Sequence, residues 1–112
     1  MTKSAPEHQP AADALTVEVA TSLAAVDAAS WDALAGDDDP FVEHAFLAAL
    51  EASGSVGRGT GWDPVHVLVR SGGRLVGATP LYVKSNSYGE YIFDWGWASA
   101  AQRAGIRYYP KL

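Results

Sequence analysis

The chain has 112 residues, of which 48% are hydrophobic and 19% charged, enough apolar surface for one small core and too little length for two. Thirteen acidic against eight basic side chains give a formal charge of −5 at pH 7, which argues against non-specific binding to a nucleic-acid backbone, including DNA. With no cysteine, disulfide frameworks, thiolate zinc sites and cysteine nucleophiles are excluded outright.

Residues 1–13 combine Pro6 and Pro10 with small or polar residues and no periodicity, and are expected to form a disordered leader ahead of a domain over 14–112. No apolar run approaches the roughly 18 residues of a membrane span, and no h-region follows Lys3, so a cytoplasmic location is the expectation. Leu15, Val17 and Val19 alternate with Thr16, Glu18 and Ala20, the period of a strand over 15–20 with one buried face.

The Ala-rich stretch that follows predicts a helix over about 24–35, with Leu23, Val26, Trp31 and Leu34 sharing a face and Gly36 closing it. Asp39 as N-cap and Pro40 at the first helical position predict a second helix over about 40–52. Its expected buried positions are Phe41, Ala45, Leu47 and Leu50. Asp37, Asp38 and Asp39 lack the spacing and closing Glu of a calcium loop and read as a cap with solvated neighbours.

Ser53 to Gly61 contains four glycines and is a loop. A phosphate loop needs Lys with Ser or Thr after the last glycine, opening a helix, whereas Gly61 leads into Trp62-Asp63-Pro64 and a strand; the loop reads as a connector. Strands over 64–70 and 74–84, joined by Ser71-Gly72-Gly73, predict an antiparallel hairpin. Pro80 lacks an amide donor, so the second strand must be bulged there or lie at an edge.

Ser87 and Glu90 stand at capping-box spacing and predict a helix over about 88–104, ended by Gly105. Seven of the twelve aromatic residues fall between 88 and 109. They are Tyr88, Tyr91, Phe93, Trp95, Trp97, Tyr108 and Tyr109, accompanied by Glu90, Asp94, Arg103, Arg107 and Lys111. One helical stripe cannot bury so many aromatics, so some should line a groove. Aromatic platforms beside carboxylates suit ligands with apolar faces and polar rims, such as sugars or peptides. The candidate substrate-binding residues are therefore Tyr88, Glu90, Asp94, Trp95, Trp97, Tyr108 and Tyr109.

The three histidines, at 8, 44 and 66, never stand four apart, so they form no helical zinc pair and point to no metal site. His44 is expected on the surface of the second helix and His66 as an outward or partner-facing position of a strand. The sequence supplies neither with a partner for proton abstraction.

The runs PFVEHAFLAALE, GGRLVGATPLYVKS and YVKSNSYGEYIFDWGWASAAQRAG with YYPKL resemble the N-terminal part of a bacterial family of peptidoglycan biosynthesis or recognition proteins in the GNAT N-acetyltransferase superfamily, near the Fem-type aminoacyl transferases. The resemblance covers about Ala28 to Leu112. It implies an α/β fold, an incomplete GNAT-like half domain with a mainly antiparallel sheet, cut from a longer chain. It also implies acyl or aminoacyl transfer to an amine acceptor, with a peptidoglycan precursor or small molecule as partner and acetyl-CoA or another acyl donor in the full-length family.

Gln102-Arg103-Ala104-Gly105-Ile106-Arg107 matches only the first four positions of the family's pyrophosphate turn, because Arg107 replaces the final small residue and Gly105 ends a helix. The resemblance therefore implies no cofactor site and no assignable catalytic base in this chain. Glu90 or Asp94 are expected to orient an ammonium while Trp95, Trp97 and Tyr108 pack on the acceptor. The alternative is a non-enzymatic glycan- or protein-binding module using 88–109. A cut sheet further predicts an unpaired edge and self-association.

Overall fold

The computed structural model describes residues 14–112; the expected leader lies outside them. The described residues form a mixed α/β structure with antiparallel sheets and three α-helices. Strand β1 (Leu15–Ala20) leads through a 3-10 turn (Leu23–Ala25) to helix α1 (Ala28–Ala35), a second 3-10 turn (Pro40–Val42) and helix α2 (His44–Ala52). Strands β2 (Trp62–Pro64), β3 (His66–Ser71), β4 (Arg74–Thr79) and β5 (Tyr82–Lys84) follow, and helix α3 (Trp95–Arg103) comes last.

The two hairpin arms fold as expected, but each is divided. β1, β3 and β4 form one sheet in the order β1-β3-β4, and β2 pairs with β5 in another. The expected strand 64–70 breaks at Val65, and 74–84 breaks at Pro80 and Leu81. Val65 N–H donates to Leu81 O at 2.9 Å across the break, and Pro80, on the edge arm, has no amide to continue the ladder. A register shift at Val69/Arg70 sets Val69 opposite Gly77 but Arg70 opposite Leu75, leaving Val76 as the extra residue of a bulge that bends the arm.

Both expected N-terminal helices are also divided. Asp27 caps α1 by accepting from Ser30 N–H and Oγ, so the helix starts there and not at 24. Asp39 caps only the 3-10 turn, accepting from Phe41 N–H at 2.9 Å. Glu43 is then extended, with ψ 147°, and α2 restarts at His44, whose N–H donates to Asp32 Oδ1 at 2.8 Å. A side chain from α1 thus satisfies one of the orphan donors of α2 and ties the two helices together.

The core lies between these helices and one face of β3 and β4: Leu23, Val26, Trp31, Leu47, Leu68 and Leu75 are buried together. Trp31 Nε1 donates to Val42 O at 2.8 Å, so its polar edge is satisfied inside the core. Leu34 and Phe41 are exposed, as is Ala45. Phe41 stacks edge-on against Phe46 at 5.3 Å instead of entering the core.

The buried face expected for β1 is not formed. Val17 and Val19 stand opposite Val69 and Val67, on the face turned away from Leu68, so Leu15, Val17 and Val19 are exposed.

His66 and His44 both correct the expectation. His66 is fully buried: in β3 it shares a face with Leu68, and that face is the core. Its Nδ1 accepts from Leu81 N–H at 3.3 Å, which assigns the proton to Nε2, 2.9 Å from Glu51 Oε2. The His44 ring turns inward, with Nε2 2.8 Å from Leu23 O and 3.0 Å from Val26 O, where it satisfies two carbonyls of the chain leading into α1.

Candidate functional site

The predicted helix over 88–104 forms only from Trp95 onward. Its supposed capping box is used in tertiary contacts. Ser87 is fully buried, and its Oγ lies 2.5 Å from the Tyr109 hydroxyl and accepts from Lys111 Nζ at 3.2 Å. The Glu90 carboxylate meets two ammonium groups, Lys84 Nζ at 3.1 Å and Lys111 Nζ at 3.0 Å. Gly89, at φ 79° between them, sits so close to Trp62 that a Cβ there would lie 3.1 Å from the indole nitrogen. That position requires glycine both for its left-handed backbone and for space.

Two distant segments are thereby joined. The C-terminal strand-like segment returns to the hairpin, and Lys84 and Lys111 exchange backbone hydrogen bonds of 2.6 and 2.9 Å. Both side chains reach the Glu90 carboxylate, and Lys111 Nζ alone also binds Asp94 Oδ2. Lys84 is buried at 4% exposure, with Nζ 3.6 Å from the centre of the Trp62 ring and donating to Tyr88 O at 2.6 Å. Asp94 Oδ2 accepts from the Tyr108 hydroxyl at 2.7 Å, whereas Asp94 Oδ1 is buried and makes no hydrogen bond among the described residues.

These contacts fix the charge states. Hydrogen bonds from Lys111 and Tyr108, with the Ser87 hydroxyl close by, hold the Asp94 carboxyl far below the usual carboxylate range. Lys111 also lowers Glu90, and outweighs its partial desolvation. Desolvation pulls Lys111 down, but Asp94 and Glu90 together outweigh it and raise the ammonium above its ordinary value. The bond to Asp94 raises the Tyr108 phenol. At neutral pH Asp94, Glu90 and Lys111 are therefore all ionised.

The two depressed carboxyls contribute stability that is present above about pH 4 and lost as pH falls below it. The raised lysine contributes stability that is present below about pH 10 and lost as pH rises beyond it. The thermal midpoint is expected to be flat between these limits and to fall on either side. Lys111→Gln should flatten the acid limb, and an unchanged acid limb in that variant would remove the cluster from the explanation.

Beside the cluster lies a pocket of about 480 Å³, lined chiefly by Trp95, Gln102, Ile106, Arg107, Tyr108 and Tyr109. Tyr108 belongs to both pocket and cluster, so the carboxylates hold one aromatic wall in place. Of the expected site residues, Glu90, Asp94, Tyr108 and Tyr109 come together, and Trp95 joins them through the pocket. The exposed Tyr88 ring packs edge-on against Trp95 at 5.3 Å. Trp97 is 74% exposed and lines neither pocket nor cluster. Lys84 and Ser87 were missed; the available signal was a segment holding two lysines and two carboxylates together.

A larger groove of about 790 Å³ runs beside the Gly-rich loop and is lined by Ser22, Glu51, Arg58 and Asp63, among others. Its central carboxylate is already satisfied. Glu51 Oε1 accepts from Ser22 Oγ at 3.1 Å and Leu23 N–H at 2.9 Å, while Oε2 faces His66. This arrangement joins α2 to β3 and serves the core. Among the described residues no three His, Asp or Glu side chains gather to hold a metal, and no helix is long and apolar enough to cross a membrane.

No curated protein and no solved structure matches the chain significantly. The sequence pattern of the FemAB-like family, described as peptidoglycan biosynthesis/recognition, matches residues 22–112, a span that takes in the core helices, the hairpin, the lysine–carboxylate cluster and the aromatic pocket, and the chain belongs to that family.

Proposed function

We propose that this chain supplies acceptor recognition for acyl or aminoacyl transfer to an amine of a peptidoglycan precursor. The observation that carries this reading is the aromatic pocket walled by Trp95, Tyr108 and Tyr109, whose Tyr108 wall donates its hydroxyl to the Asp94 carboxylate behind it at 2.7 Å. The aromatic faces take the apolar side of a sugar or peptide, and the Asp94 carboxylate behind Tyr108 draws an acceptor ammonium toward that wall by its charge. Arg107 and Gln102 provide polar groups at the pocket.

The transfer forms a carbon–nitrogen bond and releases the donor's thiol or hydroxyl. The amine must lose a proton to attack, and a group effective in that step needs a pKa near the working pH. Asp94 is held far below that range and Lys111 above it, so what these residues offer is binding and orientation. A GNAT-type fold and a donor such as acetyl-CoA belong to this proposal through the family likeness. Gly105 follows the end of α3 at φ 72°, so the Gln102–Arg107 stretch does not open a helix toward a pyrophosphate. Because Asp94 and Lys111 offer binding and orientation, the second reading is a recognition module that binds glycan without performing transfer.

Calorimetric titration with a soluble muramyl peptide bearing a free amine tests the shared step. Binding is expected, with Trp95→Ala weakening it about tenfold or more and N-acetylation of the amine weakening it comparably. Equal affinity for the free and blocked amine would remove Asp94 from the site, and absence of binding would overturn the reading. Amide formation after addition of acetyl-CoA would separate transferase from recognition module.

A further inference from the structure

Residues 84–112 differ from the rest of the chain in both charge and surface. They hold Lys84, Arg103, Arg107 and Lys111 against Glu90 and Asp94, a surplus of two positive charges on a chain whose formal charge is −5. Both carboxylates are engaged by lysines inside the cluster, while Arg103 and Arg107 are exposed. The segment thus presents cations outward and keeps its anions inward.

The same segment carries Tyr91, Ile92, Phe93 and Trp97 at 97%, 79%, 70% and 74% exposure. A tyrosine at 97% exposure projects from the surface and lines no groove. Tyr91 to Phe93 precede α3 in an irregular stretch, so a protruding turn, not a flat helix face, displays them. Tyrosine and tryptophan favour the membrane–water interface because their rings are apolar and their edges polar, and Phe and Ile supply apolar area.

We infer that Tyr91–Phe93, with Trp97, is an interfacial patch that seats this protein on an anionic lipid surface, with Arg103 meeting the headgroups. Insertion to about 5–10 Å places the aromatic side chains at the headgroup–acyl boundary and leaves the irregular backbone where water still reaches it. The acidic remainder of the chain is repelled by the same surface, which orients the molecule with residues 84–112 toward the lipid. The inference is independent of what the pocket binds.

Co-sedimentation of the full chain with phosphatidylcholine vesicles containing about a third phosphatidylglycerol is the test. The chain is expected to partition onto these vesicles and only weakly onto pure phosphatidylcholine. Ile92→Ser with Phe93→Ser should reduce partition about tenfold or more, and Arg103→Gln roughly fivefold on the anionic vesicles alone. Because Ile92 and Phe93 are exposed, the thermal midpoint should not change, and that control separates lost binding from lost folding. Equal partition of wild type and the Ile92/Phe93 variant would overturn the inference. So would failure to bind combined with a dimer in sedimentation velocity that the Ile92/Phe93 variant abolishes, since the patch would then serve a second copy of the chain.

Discussion

Lys84→Met is expected to destabilise the protein by about 3–5 kcal/mol, the cost of removing one partner from a buried ion pair. Lys84 is almost fully buried, and it satisfies three groups at once: the Glu90 carboxylate, the Tyr88 carbonyl and the face of Trp62. Methionine fills much of the stem's volume but satisfies none of them. Urea unfolding followed by tryptophan fluorescence provides the measurement, and Trp62 reports on the site directly. If the loss arises from the ion pair, Lys84→Met combined with Glu90→Gln should lose less than the sum of the single variants by about 0.5–3 kcal/mol. Strict additivity would assign the effect to packing instead.

Trp31→Ala is expected to cost a similar amount, about 3–5 kcal/mol, through the cavity it leaves. Trp31 is the largest member of the buried cluster; from α1 it meets the His66 ring of the sheet edge-on and also binds Val42 O. Against a typical total stability of about 5–15 kcal/mol, this single change should leave the chain unfolded or nearly so at 37 °C. Trp31→Phe keeps most of the apolar volume and loses the indole hydrogen bond, worth about 1 kcal/mol. Thermal melts that rank wild type, Phe and Ala in that order would confirm that volume dominates. A melt for Trp31→Ala within a few degrees of wild type would contradict the described core.

The two variants act on different parts of the molecule. Trp31 belongs to the packed layer of α1 and α2 on the sheet, whereas Lys84 joins the hairpin end to the segment that builds the candidate site. Trp31→Ala should therefore abolish precursor binding only by unfolding, while a chain with Lys84→Met should lose binding at temperatures where its core remains intact.

The hairpin was legible because its signals are local. Gly72-Gly73 supplies the turn, the flanking residues alternate, and Pro80 announces the break that the structure shows between β4 and β5. The N-terminal helices were legible in place but not in their divisions, since the cap that restarts α2 comes from Asp32, twelve residues earlier. At His66 register prevails over polarity. The alternation that buries Leu68 also buries His66, and Glu51 makes that acceptable.

The helix over 88–104 failed for a related reason. Ser87 and Glu90 have the spacing of a cap, but partners more than twenty residues away, Tyr109 and Lys111, take both side chains. No local pattern encodes that competition. The aromatic crowding nonetheless marked the segment whose side chains come together in the structure. Four of the seven candidate residues surround one lysine-bridged cluster, and the excess aromatic surface beyond it is the exposed stretch around Tyr91.

Nuclear magnetic resonance of the uniformly ¹⁵N-labelled chain, titrated with an amine-bearing muramyl peptide, tests the central claim most directly, because the tryptophan indoles sit in different parts of the molecule. The expected result is that the Trp95 indole and the Arg107 and Tyr108 amides shift in a saturable way while the Trp31 indole stays fixed. Shifts centred on Glu51 and Arg58, or no shifts at saturating peptide, would contradict it.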